Sequence, residues 1–501
     1  MKIYLQKPQK INLKNKKVLF LPFFSGEKIR VDNPDIKREI SKFDRLLESI
    51  KEQELKLVFL EKRQFIFLDL GKREKWNQRK FLLAIRRATI FLKENRLSEA
   101  SFVLEAVIPK VVNQASLVRQ IPENILMADY EFNRYKEKPK EGWPEIKSIE
   151  IIWPDSQKYQ KELANGKIIG QNVNFVRDLA NIPGGEMTPQ KMAEAAKKAV
   201  RKAKSLKVEI LDEKKIKKLG MGGILGVGQA SSQKPRLIIL KYIGNKSSRN
   251  FDLAFVGKGV TFDTGGLDIK PFEAMKDGVH MDMSGGAAVL GAILAVSQMK
   301  SPINIVGIIP AVENMISGQA LRPGDIIKSY NGKTIEVVST DAEGRIILAD
   351  ALSYAIKNYK PKLIIDVATL TGAAIVALGK RATALFTNLS KMEKTLSEIG
   401  EDSGDYVWPL PCWEEYEEEI KGTFGDISNL GKYPRCGGAI TAALFLKYFV
   451  EESPWIHLDI ASTMTSIDNQ GLSGGATGSG LRYLVELTQR FKNIESKLNL
   501  S

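Results

Sequence analysis

A chain of 501 residues with 43% apolar and 27% charged side chains has material for more than one hydrophobic core and reads as two or three domains, which excludes the disordered and fibrous classes. Its two cysteines, Cys412 and Cys436, and two histidines, His280 and His457, are too few for a disulfide scaffold or a four-thiolate zinc site, so any metal is held mainly by oxygen, with lysine as an amine donor. The formal charge of +16 is regional, since residues 1–250 carry 52 Lys/Arg against 29 Asp/Glu and residues 251–501 carry 23 against 30.

In chain order, KVLFLPF (17–23), ELKLVFL (54–60) and FIFLDL (65–70) have the length and side chains of strands. Residues 76–95 have helical apolar spacing, and SEASFVLEAV (98–107) follows as a strand. The polar, proline-punctuated stretch 129–148 predicts a loop and IEIIWP (149–154) another strand. Residues 157–181 read as a helix stopped by NIPGGEMTP, after which Thr188 and Pro189 supply the N-cap and first-turn proline of the next. Strands are then expected at 237–244, 252–259, 303–312, 362–370 and 455–462, with helices at 285–299, 344–358 and 438–452. That order predicts a small N-terminal α/β domain over 1–160 and a larger α/β domain over 161–501, with a mixed, mainly parallel sheet flanked by helices on both faces. No apolar run approaches the roughly 18–20 residues of a spanning helix, and the N-terminus lacks a signal-peptide core, so a cytoplasmic location is expected.

In such sheets reactive groups gather at the carboxyl ends of strands, where loops converge over one crevice. Three segments fit. A strand runs into a glycine-rich turn bearing Lys258, Asp263 and Lys270; Asp282 stands before a helix of small residues; and Ser339 to Arg345 joins TIEVVS (334–339) to a helix. Singly, Asp282 and Asp341 read as helix N-caps, Lys258 as a turn lysine and Glu343 as a first-turn charge. Together, four carboxylates in a partly desolvated cleft repel one another and need cations, which two divalent metals about 3.5–4 Å apart would supply. Asp341 and Glu343 can point to one side if the backbone between them is extended. Lys258 can join such a site as a neutral amine, its pKa depressed by two dications.

With Thr340–Arg345 as TDAEGR, Gly257–Asp263 as GKGVTFD, and Ile269, Lys270 and Pro271 between, the chain resembles the leucyl (cytosol) aminopeptidase family of two-metal exopeptidases. The likeness extends through VRDLANIPGGEMTPQKMAE (176–194), GGILGVGQAS (222–231), DVATLTGA (366–373), GDISNLGKYPRCGGAITAALFL (425–446), WIHLDIAS (455–462) and GGATGSGLRYLVELTQRF (474–491). It covers most of 165–492 in family order, and residues 68–88 faintly resemble the family's N-terminal domain.

The resemblance implies hydrolysis of the N-terminal peptide bond of short peptides, with two divalent metal ions per subunit, Mn or Zn foremost, held by Lys258, Asp263, Asp282, Asp341 and Glu343. Asp263 and Glu343 would bridge the ions, Lys258 and Asp282 complete one site, and Asp341 the other. The substrate's free α-amine would bind at the metal nearer Asp282. A hydroxide bridging the ions would attack the carbonyl while Lys270 stabilises the oxyanion. Arg345, a fixed cation that cannot be a base, would hold a bicarbonate ion that shuttles the proton. Thr369, Leu370 and Gly372 match the family's substrate contacts, beside their plainer reading as a strand ending in a turn. The implied assembly is a homo-hexamer with sites facing an interior. Three departures stand out: Ser339 replaces a usual asparagine, the Lys270–Asp282 spacing is one residue longer, and Val279 replaces a side-chain-pocket methionine, although Ala461 and Met464 match. Leucine preference is therefore open.

Two other readings compete. The basic residues 1–250 are compatible with DNA or RNA binding, and equally with solvated helix faces such as the Lys-rich stretch 191–207. A catalytically silent scaffold is argued against by the intact ligand set. Gly220–Gly226 and Gly474–Gly480 lack the GK[ST] of a P-loop and read as turn or packing glycines. His457 reads as a satisfied core histidine and Cys436 as a packing residue, while His280 lies beside Asp282 in sequence.

Overall fold

The computed structural model describes residues 1–10, 18–61, 63–108, 113–201, 203, 205–276, 278–433 and 436–498. Position 17 of the first expected strand, positions 202 and 204 of the Lys-rich stretch and positions 434–435 of the family likeness lie outside the described residues. The chain divides into two compact units, Met1–Gln171 with Asp468–Ser473, and Asn172–Ile467 with Gly474–Ser501. The division thus falls inside the helix Gln160–Ala180 and not at 160, because nothing breaks that helix before NIPGG. The stretch Asp468–Ser473 joins the first unit, where Arg86 Nη1 donates to Gln470 O at 2.9 Å.

In the first unit, β1 (Lys2–Gln6), β2 (Val18–Phe23), β3 (Leu55–Leu60), β4 (Arg63–Asp69), β5 (Glu99–Val103) and β6 (Ser148–Ile152) form a sheet in the order β1-β6-β5-β2-β4-β3. Only the β3–β4 pair is antiparallel. Side chains along β2 and β4 alternate between two cores: Val18, Phe20, Ile66 and Leu68 enter one, and Leu19, Leu21, Phe65 and Phe67 the other. Both faces are therefore covered, as a parallel sheet requires. Asn77 caps the helix Gln78–Glu94 by accepting from the Lys80 N–H at 3.1 Å. The sequence pattern does not announce β1, whose Ile3 and Leu5 alternate with Lys2, Tyr4 and Gln6, or the helix Gln114–Asp129, where the internal Pro122 reads as a break. The strand expected over 98–107 ends at Val103 and gives way to a 3-10 turn at Glu105–Val107.

The second unit contains β7 (Leu206–Leu211), β8 (Arg236–Ile243), β9 (Leu253–Gly257), β10 (Gly259–Asp263), β11 (Asn304–Asn314), β12 (Ile326–Lys328), β13 (Thr334–Glu336), β14 (Leu363–Ala368), β15 (Thr383–Thr387), β16 (Val407–Pro409), β17 (Ile427–Ser428) and β18 (Trp455–Asp459). The main sheet runs β16-β15-β18-β14-β9-β11-β8-β7 with β10 also on β11, and β12, β13 and β17 form a small separate sheet. The central strands β18, β14, β9 and β11 are parallel, while β8 on β11, β7 on β8 and β15 on β18 are antiparallel. Val306 and Ile308 of β11 share a core with the helices Glu343–Tyr359 and Gly438–Val450. On the other face, a Cβ at Gly307 would lie 2.4 Å from Ile293 of the helix Ser284–Gln298.

That helix corrects one expectation. Val279–Gln298 spans 20 residues at mean hydropathy 1.5, long and apolar enough to cross a membrane, but 94% of it is buried within the protein. Its glycines and alanines let strands and helices close around it on all sides.

Candidate active site

The strand expected over 252–259 is two strands broken at Lys258. The break is built by close approach: a Cβ at Gly257 would stand 2.6 Å from Gly285 O, so only glycine lets β9 reach the start of the helix Ser284–Gln298. There the Lys258 N–H donates to Val367 O at 3.0 Å, and Lys258 O accepts from the Gly286 N–H at 2.7 Å. Asp263 ends β10, and Lys270 is turned back toward it by a hydrogen bond from its own N–H to Thr264 O at 2.9 Å. Asp282 and Asp341 are not caps, since the N-cap positions of the helices that follow them are Met283 and Ala342, neither with a side-chain cap. Nor is the backbone extended between Asp341 and Glu343: it turns through Ala342 into the helix, of which Glu343 is the first residue.

The side chains nevertheless converge. Lys258 Nζ lies 2.8 Å from both Asp282 Oδ2 and Glu343 Oε1 and donates to Thr369 O at 3.0 Å. Lys270 Nζ is 2.8 Å from Asp263 Oδ2 and pairs also with Asp341 Oδ1. Oxygens of Asp263, Asp341 and Glu343 all fall within 4.8 Å of one another. Thr369 Oγ1 donates to Asp282 Oδ1 at 2.6 Å. A cavity of about 260 Å³ opens here, lined by Lys258, Asp263, Lys270, Asp282, Asp341, Thr369, Leu370 and Gly372. Glu343 and Arg345 do not line it, and neither does His280; Glu343 reaches the site through Lys258 and the carboxylate cluster.

Burial pushes Asp341 up to about 6 against the pull of the Lys270 ammonium, and pushes Asp282 well above the usual carboxylate range against Lys258. Burial also works to lower both lysines, but the surrounding carboxylates outweigh it and raise them, so without metal both are ammonium ions. The neutral Lys258 expected beside two dications would thus belong to a metal-bound state. Arg345, with 5% of its surface exposed, is lowered to about 10 by desolvation, and its Nε and Nη1 have no hydrogen-bond partner among the described residues.

Residues 174–485 match the catalytic-domain model of the cytosol aminopeptidase family, and residues 53–139 match that family's N-terminal domain. The probable cytosol aminopeptidase of Solibacter usitatus is 43% identical over 408 residues, 81% of this chain and 82% of that protein. That of Alkalilimnicola ehrlichii is 40% identical over 428 residues, 84% of each. This chain belongs to the cytosol aminopeptidase family. It is a metal-dependent aminopeptidase and a hydrolase. Among solved structures, a mutant tomato leucine aminopeptidase is similar with a TM-score of 0.86 and 31% identity, covering 98% of this chain and 96% of that one. The bottromycin maturation enzyme BotP in complex with Mn is similar at 0.83 and 27% identity, covering 95% and 99%.

The aminopeptidase's donor set fits a divalent cation. Asp282 Oδ2 and Glu343 Oε1 are buried with the Lys258 ammonium, 2.8 Å from each, as their charge partner, and the cluster offers oxygen ligands with one amine. Several supporting residues are not among the expected site residues. Asn314 Nδ2 donates to Asp263 Oδ1 at 2.8 Å and to Thr340 O at 3.1 Å. Asn429 accepts from the Val338 N–H at 2.7 Å and donates to Ser339 O at 2.6 Å, fixing the approach to Asp341. Thr340 Oγ1 donates to Gly265 O at 2.7 Å and ties that approach to the turn after β10. What they share is a polar side chain, buried, at or near a strand's carboxyl end. His457 is only half satisfied: Nδ1 meets Asp366 at 2.6 Å, while Nε2 is buried without a partner among the described residues.

Proposed function

We propose that this aminopeptidase removes the N-terminal residue of short peptides at the cavity lined by Lys258, Asp263, Asp282 and Asp341, which together with Glu343 behind Lys258 would hold two divalent ions, Mn or Zn. The observation that carries this reading is the convergence of three carboxylates within 4.8 Å beside the buried Lys258 and the half-buried Lys270, each paired with carboxylates. When bound, such ions lower the pKa of water and polarise the scissile carbonyl. Asp282, ionised once cations are bound, would orient the substrate's α-amine. Lys270 Nζ, fixed by Asp263, donates to the carbonyl oxygen as negative charge develops there. Arg345 cannot accept a proton; its Nε and Nη1, without a hydrogen-bond partner among the described residues, would hold a bicarbonate, which would supply the proton-accepting group. Thr369, Leu370 and Gly372 present the wall along which the peptide lies. Ala274, Val279, Ile375, Ala461 and Met464 give the rest of the cavity an uncharged lining, which favours an apolar N-terminal side chain.

A homo-hexamer acting in the cytoplasm belongs to the same reading, supported by large apolar side chains exposed on the single chain, among them Phe424 at 83% and Phe272 at 76%. Sedimentation as a monomer would contradict it. Equilibrium dialysis with Mn tests the site: the wild type should bind two ions per chain, and Glu343→Ala should lose tight binding while keeping its circular dichroism. Unchanged two-ion binding in that variant would remove the assignment.

A further inference from the structure

Asp459 is the last residue of β18 and is fully buried, although nothing in the proposed chemistry uses it. The parallel register sets it beside Ala368, the last residue of β14, so its side chain reaches the segment that leaves β14 toward the cavity. Oδ1 accepts from the Leu370 N–H at 3.0 Å and the Ala461 N–H at 3.1 Å, and Oδ2 accepts from the Thr371 hydroxyl at 2.6 Å. Thr371 Oγ1 in turn accepts from the Ala374 N–H at 3.1 Å and caps the helix Gly372–Leu378. One carboxylate thus ties together two walls of the cavity, Leu370–Gly372 and Ala461. The same segment supplies Thr369 O to Lys258 Nζ and Thr369 Oγ1 to Asp282.

We propose that Asp459 is a positioning residue for substrate binding, holding the Thr369–Gly372 segment at the reach of the peptide through the Thr371 hydroxyl. The inference rests on the proposed placement of substrate along that segment. Asp459→Asn keeps the shape and one acceptor oxygen but offers an amide N–H toward Thr371, whose own O–H then loses its acceptor. Thr371→Val breaks the same link from the other side, and Thr371→Ser preserves it. Outer partners of this kind change affinity or activity by roughly 10–100-fold.

The test is steady-state kinetics of the Mn-loaded enzyme on a leucyl chromogenic amide. Asp459→Asn and Thr371→Val should each raise KM at least about tenfold, the double variant should be no worse than the weaker single, and Thr371→Ser should resemble the wild type. A role confined to stability would lower Tm and leave KM unchanged, which overturns the inference. Should Asp459→Asn fail to fold, the Thr371→Val and Thr371→Ser pair carries the same comparison. Gly372→Ala separates the two readings, because a Cβ there meets nothing within 4 Å and introduces no steric clash in the folded chain. If Gly372→Ala raises KM and the Asp459 and Thr371 variants do not, the positioning role is wrong and the substrate placement stands. If Gly372→Ala also leaves KM unchanged, the placement fails and the inference with it.

Discussion

Replacing Gly344 by alanine asks whether the Lys258 amine must sit where it does. A Cβ at 344 would lie 2.5 Å from Lys258 Cε and 2.6 Å from Nζ, where ordinary contact begins at 3.4 Å. The lysine must withdraw by roughly 0.9 Å, the difference between 3.4 and 2.5 Å. It has little room to do so, being 3% exposed and pinned by Asp282 and Glu343 at 2.8 Å and by Thr369 O at 3.0 Å. Two effects on folding oppose each other: alanine is favoured over glycine in a helix by about 0.8–1.0 kcal/mol, and overpacking costs about 1–3 kcal/mol. Net destabilisation therefore stays within about 2 kcal/mol. A displacement of about 1 Å in a reacting constellation costs on the order of 100-fold in rate. The expected signature is a kcat/KM about 100-fold lower at saturating Mn, with a Tm shift of only a few degrees. Wild-type kcat/KM in folded Gly344→Ala would refute the requirement for Lys258 in its present place, and so would an activity loss explained entirely by unfolding.

Asp341→Asn should abolish hydrolysis while thermal unfolding stays cooperative; retained turnover would contradict the two-metal assignment. Burial holds Asp341 at about 6 in the metal-free protein, and only the ionised carboxylate ligates, so Mn affinity should fall as pH drops through about 6. Affinity constant from pH 5 to pH 8 would argue against Asp341 as a ligand. Because its neighbouring carboxylates raise Lys258 above the usual lysine value, Mn uptake at pH 8 should release a proton, seen as a calorimetric heat that depends on the buffer; a buffer-independent heat would argue against Lys258 as a ligand. The second reading of the basic residues 1–250 predicts duplex DNA binding with a steep log–log salt dependence, and no binding at low salt would eliminate it.

The sheet was legible because its strands are buried on both faces and read as continuous apolar runs, as in INIVGIIPAV. The strand β1 was not, since an edge strand with two inward residues has too little pattern to register. Lys258, Asp263, Asp282 and Asp341 were visible as polar residues at strand exits and before helices, and the structure gathers them around one cavity. Asp341 and Glu343 come together by a turn into a helix and not by the extended segment that their spacing suggests. Asn314, Asn429 and Asp459 are not legible in the sequence because each has backbone partners 26 to 91 residues away, and no local motif encodes such pairings.

The measurement that bears most directly on the mechanism is hydrolysis of a leucyl chromogenic amide by metal-stripped enzyme, with Mn or Zn added back, beside the N-acetylated amide. Cleavage should be absent without metal, return on its addition, and be confined to the free-amine substrate, because an acetylated nitrogen could not bind at a metal held beside Asp282. Equal cleavage of both amides, or activity that survives complete metal removal, would contradict the account.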